Sequence, residues 1–274
     1  MLPLAAVIGD PISHSKSPRL HGYWLEQFGI NGHYVPLHVP AEELENTLKL
    51  LPSLGFRGIN VTIPHKERVL EMAREISPTA QRIGAANTLT FLDDGGFEAD
   101  NTDAYGFLEN LKHGAPDWDA SAGPAAVLGA GGASRAILDA LLQAGCPEIR
   151  LSNRTAQRAE AIKDIVGKRI KIVTWGNEEA LYKDVALAVN TTSLGMKGQD
   201  NFPFSLRGLD EKALVTDLIY TPLQTPFLER ASQLGCRTVD GLGMLLHQAV
   251  PGFHRWFGMR PEVTPELRAL VLGS

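Results

Sequence analysis

Two adjacent basic side chains, His65 and Lys66, are the first candidates for acid–base chemistry in the sequence. Pro64 predicts a helix that begins there and carries both residues in its first turn. Neighbouring residues on a helix point about 100° apart, so only one of the two can face a given small cleft. Histidine's ordinary pKa of about 6.5 favours His65. A lysine is unfavourably placed against the helix dipole, which hints at a function for Lys66.

Three further polar side chains are candidates, and two of them lie close to this pair in the chain. Asn60 and Thr62 fall on one side of a predicted strand over residues 58–61, because side chains alternate across an extended backbone. Asp103 falls in the first turn of a predicted helix, where a carboxylate is favoured whatever else it does. These residues are candidates for binding and proton transfer, although each also has an ordinary structural explanation.

A third polar stretch holds Ser15 and Ser17 just before a predicted helix over residues 19–28, with Pro18 at the helix start. Both hydroxyls then lie near the positive end of the helix, where an anion is stabilised. Capping of the helix by one serine is the alternative explanation.

A glycine-rich turn predicts a nucleotide site. Residues 124–128 form a short apolar run of strand length, and Gly129, Gly131 and Gly132 follow before a helical pattern over residues 133–144. Gly129 allows a tight turn and Gly131 lets the backbone approach a pyrophosphate. The loop amides and the positive helix end then face an anion.

The residues after the next strand, at 148–152, favour NADP over NAD. NAD-selective sites usually carry Asp or Glu at this point to bind the ribose 2′-hydroxyl. This chain has Asn153, Arg154 and Thr155, with Arg158 one helical turn beyond Arg154. Arginines at i and i+4 share a helix face, from which both can bind a 2′-phosphate.

The remaining pattern alternates strands and helices and predicts an α/β protein of two domains. The first has a mostly parallel sheet; the second resembles a Rossmann domain. Asn190, Tyr220 and Gly241 fall in loops at the carboxyl ends of strands, where ligands bind in open α/β sheets. A C-terminal helix interrupted at residues 251–252 is expected to return to the first domain and bring Gln248 to the cleft. The predicted domains are residues 1–103 with 241–274, and residues 104–240.

The amino-acid composition argues against several classes of protein, including nucleic-acid-binding, membrane and metal-binding proteins. The 274 residues, 44% of them hydrophobic and 21% charged, describe an ordinary globular protein. A net charge of −5 argues against a nucleic-acid or membrane-surface partner. Cys146 and Cys236 are far apart and lack metal-ligand spacing, so we expect reduced thiols, no metal site and a cytoplasmic location. No apolar run is long enough to span a membrane.

Eight short motifs together resemble the shikimate dehydrogenase family, in the family's order and over nearly the whole chain. They are D-P-I-x-H-S-x-S-P, N-V-T-I-P-H-K, A-A-N-T-L, D-N-T-D, G-A-G-G-A-S-R, N-R-T-x-x-R, N-T-T-S-L-G and D-G-L-G-M-L-x-x-Q. The resemblance implies reversible NADPH-dependent reduction of 3-dehydroshikimate to shikimate, in the biosynthesis of chorismate and the aromatic amino acids.

The resemblance also implies roles for individual residues. Lys66 and Asp103 correspond to the catalytic pair. Substrate contacts are implied for Ser15, Ser17, Asn60, Thr62, Asn87, Tyr220 and Gln248. Binding of NADP is implied for Gly129, Ala130, Gly131, Gly132, Ala133, Asn153, Arg154, Thr155 and Arg158, with Leu218 and Gly241 near the nicotinamide.

Two other functions stay open. A quinate/shikimate dehydrogenase that uses NAD has the same fold, but the absence of an acidic residue at 153–155 counts against it. A non-catalytic binding or regulatory protein is the other possibility, and the intact Lys66 and Asp103 count against it. A monomer and a homodimer are both compatible with the sequence.

Overall fold

The computed structural model describes residues 2–273, except for the side chains of residues 164–166. The chain divides into two compact units, unit 1 with Met1–Asp103 and Leu246–Ser274, and unit 2 with Ala104–Leu245. The second boundary lies between Leu245 and Leu246, whereas the sequence placed it between Asp240 and Gly241. It falls inside a helix, where no change in composition marks it.

The first 100 residues form a sheet with short helices between its strands. In chain order the elements are β1 (Leu4–Gly9), α1 (Ser17–Gln27), β2 (His33–His38), α2 (Leu44–Leu50), β3 (Phe56–Val61), α3 (Arg68–Met72), β4 (Glu75–Ile76), α4 (Pro78–Ile83), β5 (Thr88–Phe91) and β6 (Phe97–Asp100). Single 3-10 turns, Ala41–Glu43 and Leu51–Leu54, flank α2. Ser77 caps α4 by accepting a hydrogen bond from the Ala80 amide, which satisfies one free N–H at the helix start.

Unit 2 follows without interruption and alternates strands with helices. Its elements are α5 (Asp103–Gly114), β7 (Ala125–Leu128), α6 (Gly132–Gln143), β8 (Ile149–Ser152), α7 (Ala156–Val166), β9 (Ile170–Ile172), α8 (Glu178–Tyr182), β10 (Leu187–Asn190), β11 (Leu214–Asp217), α9 (Pro226–Gln233) and β12 (Arg237–Val239). A 3-10 turn, Ala120–Ala122, precedes β7. The chain then enters α10 (Leu242–Phe257) and α11 (Pro265–Leu272).

The sheet of unit 1 is mixed, with strand order β2-β1-β3-β5-β6-β4. β1 pairs in parallel with β2 and β3, and β4 in parallel with β6. β5 runs antiparallel to both β3 and β6. Because β5 is antiparallel to β3, its first residues lie beside the carboxyl end of β3, with Asn60 opposite Thr88. Polar side chains from these two stretches therefore meet at one edge of the sheet.

Burial of apolar side chains stabilises this sheet, at roughly 1.5–3 kcal/mol for each large side chain. The core of unit 1 includes Ala6, Ile8, Ile59, Val61, Leu89 and Ala99, all buried. On the other face, the Trp256 indole donates to the Leu89 carbonyl at 3.0 Å. A Cβ at Gly58 would lie 1.9 Å from Trp256 Nε1, so only glycine lets the C-terminal segment approach β3 this closely.

The sheet of unit 2 is parallel throughout, with order β12-β11-β10-β7-β8-β9. This is the doubly wound order 3-2-1-4-5-6, in which the chain begins at the centre with β7 and reverses direction between β7 and β10. The four residues of β7 are buried, as expected for a central parallel strand. Ligands bind at the carboxyl ends of the strands, where the order reverses.

Two predicted helix boundaries are wrong. The helix expected from Pro64 begins at Arg68, because the His65 amide donates to the Thr62 carbonyl and closes a turn first. The predicted interruption at residues 251–252 is absent, since α10 continues through Pro251. Burial of Leu246, Ala249 and Phe253 outweighs the roughly 3 kcal/mol that an internal proline costs. No helix of the described residues is long and apolar enough to span a membrane.

Candidate functional site

An ion pair between Lys66 and Asp103 lies at the polar edge of unit 1. Lys66 Nζ is 2.6 Å from Asp103 Oδ2, and the side chains are 26% and 12% exposed. Lys66 lies in the turn between β3 and α3, and Asp103 begins α5. The Asp103 amide donates to Asn101 Oδ1 at 3.0 Å, which fixes the start of that helix. A partly buried ammonium beside a carboxylate can donate a proton and stabilise negative charge.

Asn87 connects this pair to the C-terminal segment of unit 1. Its Nδ2 donates to Asp103 Oδ1 at 2.8 Å and to Gln248 Oε1 at 3.3 Å. Its Oδ1 accepts from the Thr102 amide at 2.8 Å and from Thr88 Oγ1 at 2.9 Å. Both hydrogens of the amide are thus used within unit 1, so a contact between Asn87 and a ligand requires one of these bonds to be exchanged.

His65 points away from this cluster. It is 1% exposed, and its Nε2 lies 2.7 Å from the carbonyl oxygen of Val39. That nitrogen therefore carries the proton and donates to the carbonyl. The two adjacent basic residues diverge, as the sequence predicted, and the structure places Lys66 among the other candidate residues.

The predicted substrate residues Ser17 and Asn60 both adjoin a residue that sequence reasoning missed, Tyr34. The Tyr34 hydroxyl donates to Asn60 Oδ1 at 2.7 Å, and the Ser17 side chain adjoins the phenol. Ser15 Oγ accepts from the Ser17 amide at 3.3 Å. Thr62 follows β3 and is partly buried. A tyrosine within a predicted strand, next to Val35, looks like core, so the sequence pattern did not mark Tyr34 as a site residue.

The glycine turn of unit 2 has the geometry of an anion site. Gly129 has a φ of +105°, and a Cβ there would lie 2.6 Å from Thr191 Oγ1. Gly131 caps α6, which begins at Gly132, and both glycines and Ala133 are exposed. A Cβ at Gly131 or Gly132 would meet nothing within 4 Å. The free amides at the start of this helix therefore face open space, as a pyrophosphate requires.

Asn153 links the glycine turn to the arginine segment. Its Oδ1 accepts from the Ala130 amide at 3.0 Å, and its Nδ2 donates to the Thr155 carbonyl at 2.8 Å. Thr155 is the N-cap of α7, so Arg154 lies outside the helix. The predicted common helix face of Arg154 and Arg158 is therefore wrong. Both side chains instead flank the helix start, exposed and without an ion pair to any described side chain.

Leu218, Tyr220 and Gly241 lie in loops at the carboxyl ends of β11 and β12. A Cβ at Gly241 would lie 2.5 Å from the Leu218 carbonyl oxygen, so the two loops are in close contact. Tyr220 is partly buried, and burial raises the pKa of its phenol.

The last residue of β11, Asp217, was also missed by sequence reasoning. It is fully buried and accepts from Asn190 Nδ2 at 3.1 Å, from the Ile219 amide at 3.0 Å and from Thr225 Oγ1 at 2.7 Å. Burial raises the pKa of the Asp217 carboxyl to about 6. The carboxylate thus ties together the loops after β10 and β11 and the start of α9. A charged residue that ends an otherwise apolar strand was the available signal.

Two family models match parts of the chain. A family model described as the shikimate dehydrogenase substrate binding domain matches residues 7–89. A second, described as the shikimate 5′-dehydrogenase C-terminal domain, matches residues 241–270. The first range includes Lys66 and Asn87, and the second includes Gly241 and Gln248.

Relatives and solved structures cover the whole chain. A shikimate dehydrogenase (NADP(+)) of Roseobacter denitrificans is 57% identical over 99% of this chain and 98% of its own length. Shikimate 5-dehydrogenase from Thermus thermophilus, in complex with NADP(H) and shikimate, has a TM-score of 0.87 and 39% identity, covering 100% and 99% of the two chains. Quinate dehydrogenase from Corynebacterium glutamicum, in complex with NAD, has a TM-score of 0.92 and 29% identity, covering 99% of each chain. The chain belongs to the shikimate dehydrogenase family.

Proposed function

We propose that the chain catalyses the reversible NADPH-dependent reduction of 3-dehydroshikimate to shikimate. The observation that carries the proposal is the 2.6 Å ion pair between Lys66 and Asp103 within a cluster of hydroxyl and amide side chains. The 57% identity to an NADP-dependent shikimate dehydrogenase over 99% of the chain supports the substrate and the nucleotide. The step belongs to the biosynthesis of aromatic amino acids.

Lys66 and Asp103 form the catalytic pair of this proposal. When a hydride reaches the ketone carbon, negative charge grows on the oxygen and a proton must follow. The bound dinucleotide supplies that hydride. Lys66 Nζ donates the proton to the oxygen, and its positive charge stabilises the oxygen until the proton arrives. Asp103 Oδ2 holds the ammonium in place, and in the reverse direction the amine accepts the hydroxyl proton.

The surrounding polar side chains suit a small acid with several ring hydroxyls. Ser15 and Ser17, at the start of α1, are proposed to bind the carboxylate, because hydroxyls and a helix N-terminus both stabilise an anion. The ring hydroxyls are assigned to Asn60, Thr62, Asn87 and Gln248 of unit 1 and to Tyr220 of unit 2. Because all the others belong to unit 1, that unit is proposed as the substrate unit.

Unit 2 is proposed as the NADP unit. Gly129, Ala130, Gly131, Gly132 and Ala133 leave space and free amides for the pyrophosphate. The 2′-phosphate is assigned to Asn153, Arg154, Thr155 and Arg158, and the nicotinamide to the neighbourhood of Leu218 and Gly241. The guanidinium groups of Arg154 and Arg158 form no ion pair with a described side chain, and residues 153–155 include no acidic residue. This arrangement fits a 2′-phosphate better than a free 2′-hydroxyl.

Oxidation of shikimate, followed by the absorbance of the reduced nicotinamide, tests the function. Shikimate and quinate are each assayed with NADP⁺ and with NAD⁺. We expect the highest kcat/KM for shikimate with NADP⁺. Faster oxidation of quinate with NAD⁺ would favour the second candidate, which the similarity to the NAD-bound quinate dehydrogenase supports. No turnover of either substrate despite tight binding would indicate a non-catalytic protein.

We also propose a cytoplasmic location, which the two buried free thiols of Cys146 and Cys236 support, because reduced cysteines are typical of that compartment. A monomer or a homodimer is compatible with the proposed sites, since every assigned residue belongs to one chain. Light scattering distinguishes the two states.

A further inference from the structure

Tyr34 lies in β2, outside all the motifs that suggested the site, but its hydroxyl binds one proposed substrate residue, Asn60, and adjoins another, Ser17. Tyr34 is 7% exposed, and Ser17 and Asn60 are equally well buried. The phenol donates to Asn60 Oδ1 at 2.7 Å, and the Ser17 side chain adjoins the phenol. Polar side chains from α1, β2 and β3 thus lie together in one buried cluster.

The hydrogen bonds of Asn60 fix the direction of its amide. Both hydrogens on Nδ2 are used, one by the Asn87 carbonyl at 3.1 Å and one by Thr88 Oγ1 at 3.2 Å. Tyr34 occupies one of the two lone pairs on Oδ1. Asn60 therefore has one unused hydrogen-bonding position, the second acceptor lone pair on Oδ1. The group that it binds must therefore be a donor, such as a ring hydroxyl, and not a carboxylate.

Tyr34 is well suited to hold this direction. Burial raises the pKa of its phenol, so the hydroxyl keeps the proton that it donates to Asn60. The ring of His21 stacks on the Tyr34 ring at 3.9 Å with an interplanar angle of 1°, and burial lowers the pKa of His21 to about 3. A neutral, buried ring on one face thus restricts movement of the phenol.

We propose that Tyr34 is a positioning residue for the substrate. Its hydroxyl donates to Asn60 Oδ1 and holds the amide with one acceptor lone pair available to a substrate hydroxyl. Without it, the Asn60 amide is held only through Nδ2, by the Asn87 carbonyl and Thr88 Oγ1, and Oδ1 is less well fixed for a substrate hydroxyl. The inference rests on the proposed function, in which Ser17 and Asn60 bind the same small acid.

Tyr34→Phe tests the role, because it removes the hydroxyl and retains the ring that stacks on His21. Tyr182→Phe is a matched control: Tyr182 is fully buried in unit 2, and its hydroxyl has no hydrogen-bond partner in the described structure. Shikimate is titrated by calorimetry into enzyme saturated with NADPH, where turnover is blocked. Loss of a neutral hydrogen bond predicts about 3- to 10-fold weaker binding in Tyr34→Phe and wild-type binding in Tyr182→Phe.

A double-mutant cycle with Asn60→Ala separates positioning from a general structural effect. If Tyr34 acts through Asn60, adding Tyr34→Phe to Asn60→Ala weakens shikimate binding by no more than about twofold. The KM for shikimate should rise in Tyr34→Phe with kcat and the NADPH dissociation constant nearly unchanged.

Three results would overturn the inference. The first is wild-type shikimate affinity in Tyr34→Phe. The second is a loss of affinity from Tyr34→Phe that is as large in the Asn60→Ala background as in the wild type. The third is a Tyr34→Phe protein too unstable to bind NADPH. In the last case the hydroxyl acts on the fold and not on the substrate. Failure of the proposed function is distinguishable, because it appears in the wild-type enzyme as lack of shikimate turnover.

Discussion

Replacing Lys66 by alanine should abolish most turnover while leaving the protein folded. The two side chains are 26% and 12% exposed, so the variant keeps a mostly buried Asp103 carboxylate without its cation, although Asn87 Nδ2 still donates to it at 2.8 Å; thermal unfolding checks that the variant remains folded. Loss of a general acid typically costs about 10²- to 10⁴-fold in rate, which corresponds to roughly 3–5 kcal/mol of barrier. We therefore expect kcat to fall by that factor in Lys66→Ala, with the dissociation constant of shikimate changed by only a few-fold.

Steady-state kinetics with shikimate and NADP⁺ measure this effect, and two variants serve as comparisons. Lys112→Ala removes an exposed ammonium whose Nζ lies 2.8 Å from Glu109 Oε1, and kcat should stay at the wild-type value. His65→Ala should keep kcat within a few-fold, because the imidazole donates to the Val39 carbonyl. A 10²-fold fall in His65→Ala together with a nearly active Lys66→Ala would assign the proton to the histidine and refute the proposed role of Lys66.

Three further predictions address unit 2. Arg154→Ala should weaken NADPH binding by about 10- to 150-fold in calorimetry with shikimate affinity unchanged, and an equal loss of both would contradict the phosphate assignment. Gly132→Ala should keep or slightly raise the thermal midpoint, because a Cβ there meets no atom within 4 Å. The same methyl group should weaken NADPH binding, because it fills the space proposed for the pyrophosphate. Unchanged NADPH affinity would argue against that site. Burial raises the pKa of Asp217 from 3.8 to about 6, so the folded protein favours the protonated carboxyl. The stability that this preference contributes is fully present below about pH 3.8 and is lost as the pH rises through about 6. Urea unfolding should show the stability of the wild type relative to Asp217→Asn falling by about 2–3 kcal/mol from about pH 4 to pH 7, and a constant difference would exclude the shift.

Strand positions were largely predictable because apolar runs of strand length end at turn residues. The run at 4–8 corresponds to β1, Leu4–Gly9, and the run at 124–128 to β7, Ala125–Leu128. Strand direction was harder to predict. β5 is antiparallel to β3, and the pairing of two strands separated by α3, β4 and α4 depends on long-range contacts that periodicity does not report.

The site was partly predictable, and the missed residues share a cause. Lys66 and Asp103 are in contact, although Lys66 lies in a turn and not in the predicted helix. Tyr34 lies in a strand where a tyrosine indicated core, and Asp217 gave only the signal of a charged residue at the end of a strand. Their roles follow from partners far along the chain, such as Asn60 for Tyr34 and Asn190 for Asp217. Only the folded arrangement identifies such partners.

Unit 1 consists of two separate segments of the chain, and this determines the order in which the two units can fold during synthesis. Residues 104–245 leave the ribosome as one continuous stretch, so unit 2 can fold while unit 1 still lacks Leu246–Ser274. Until that last segment emerges, the Leu89 carbonyl lacks Trp256 and the amide of Asn87 lacks Gln248. A nascent or C-terminally truncated chain can therefore fold the proposed nucleotide unit first, and the proposed substrate unit becomes complete only after its C-terminal segment has emerged.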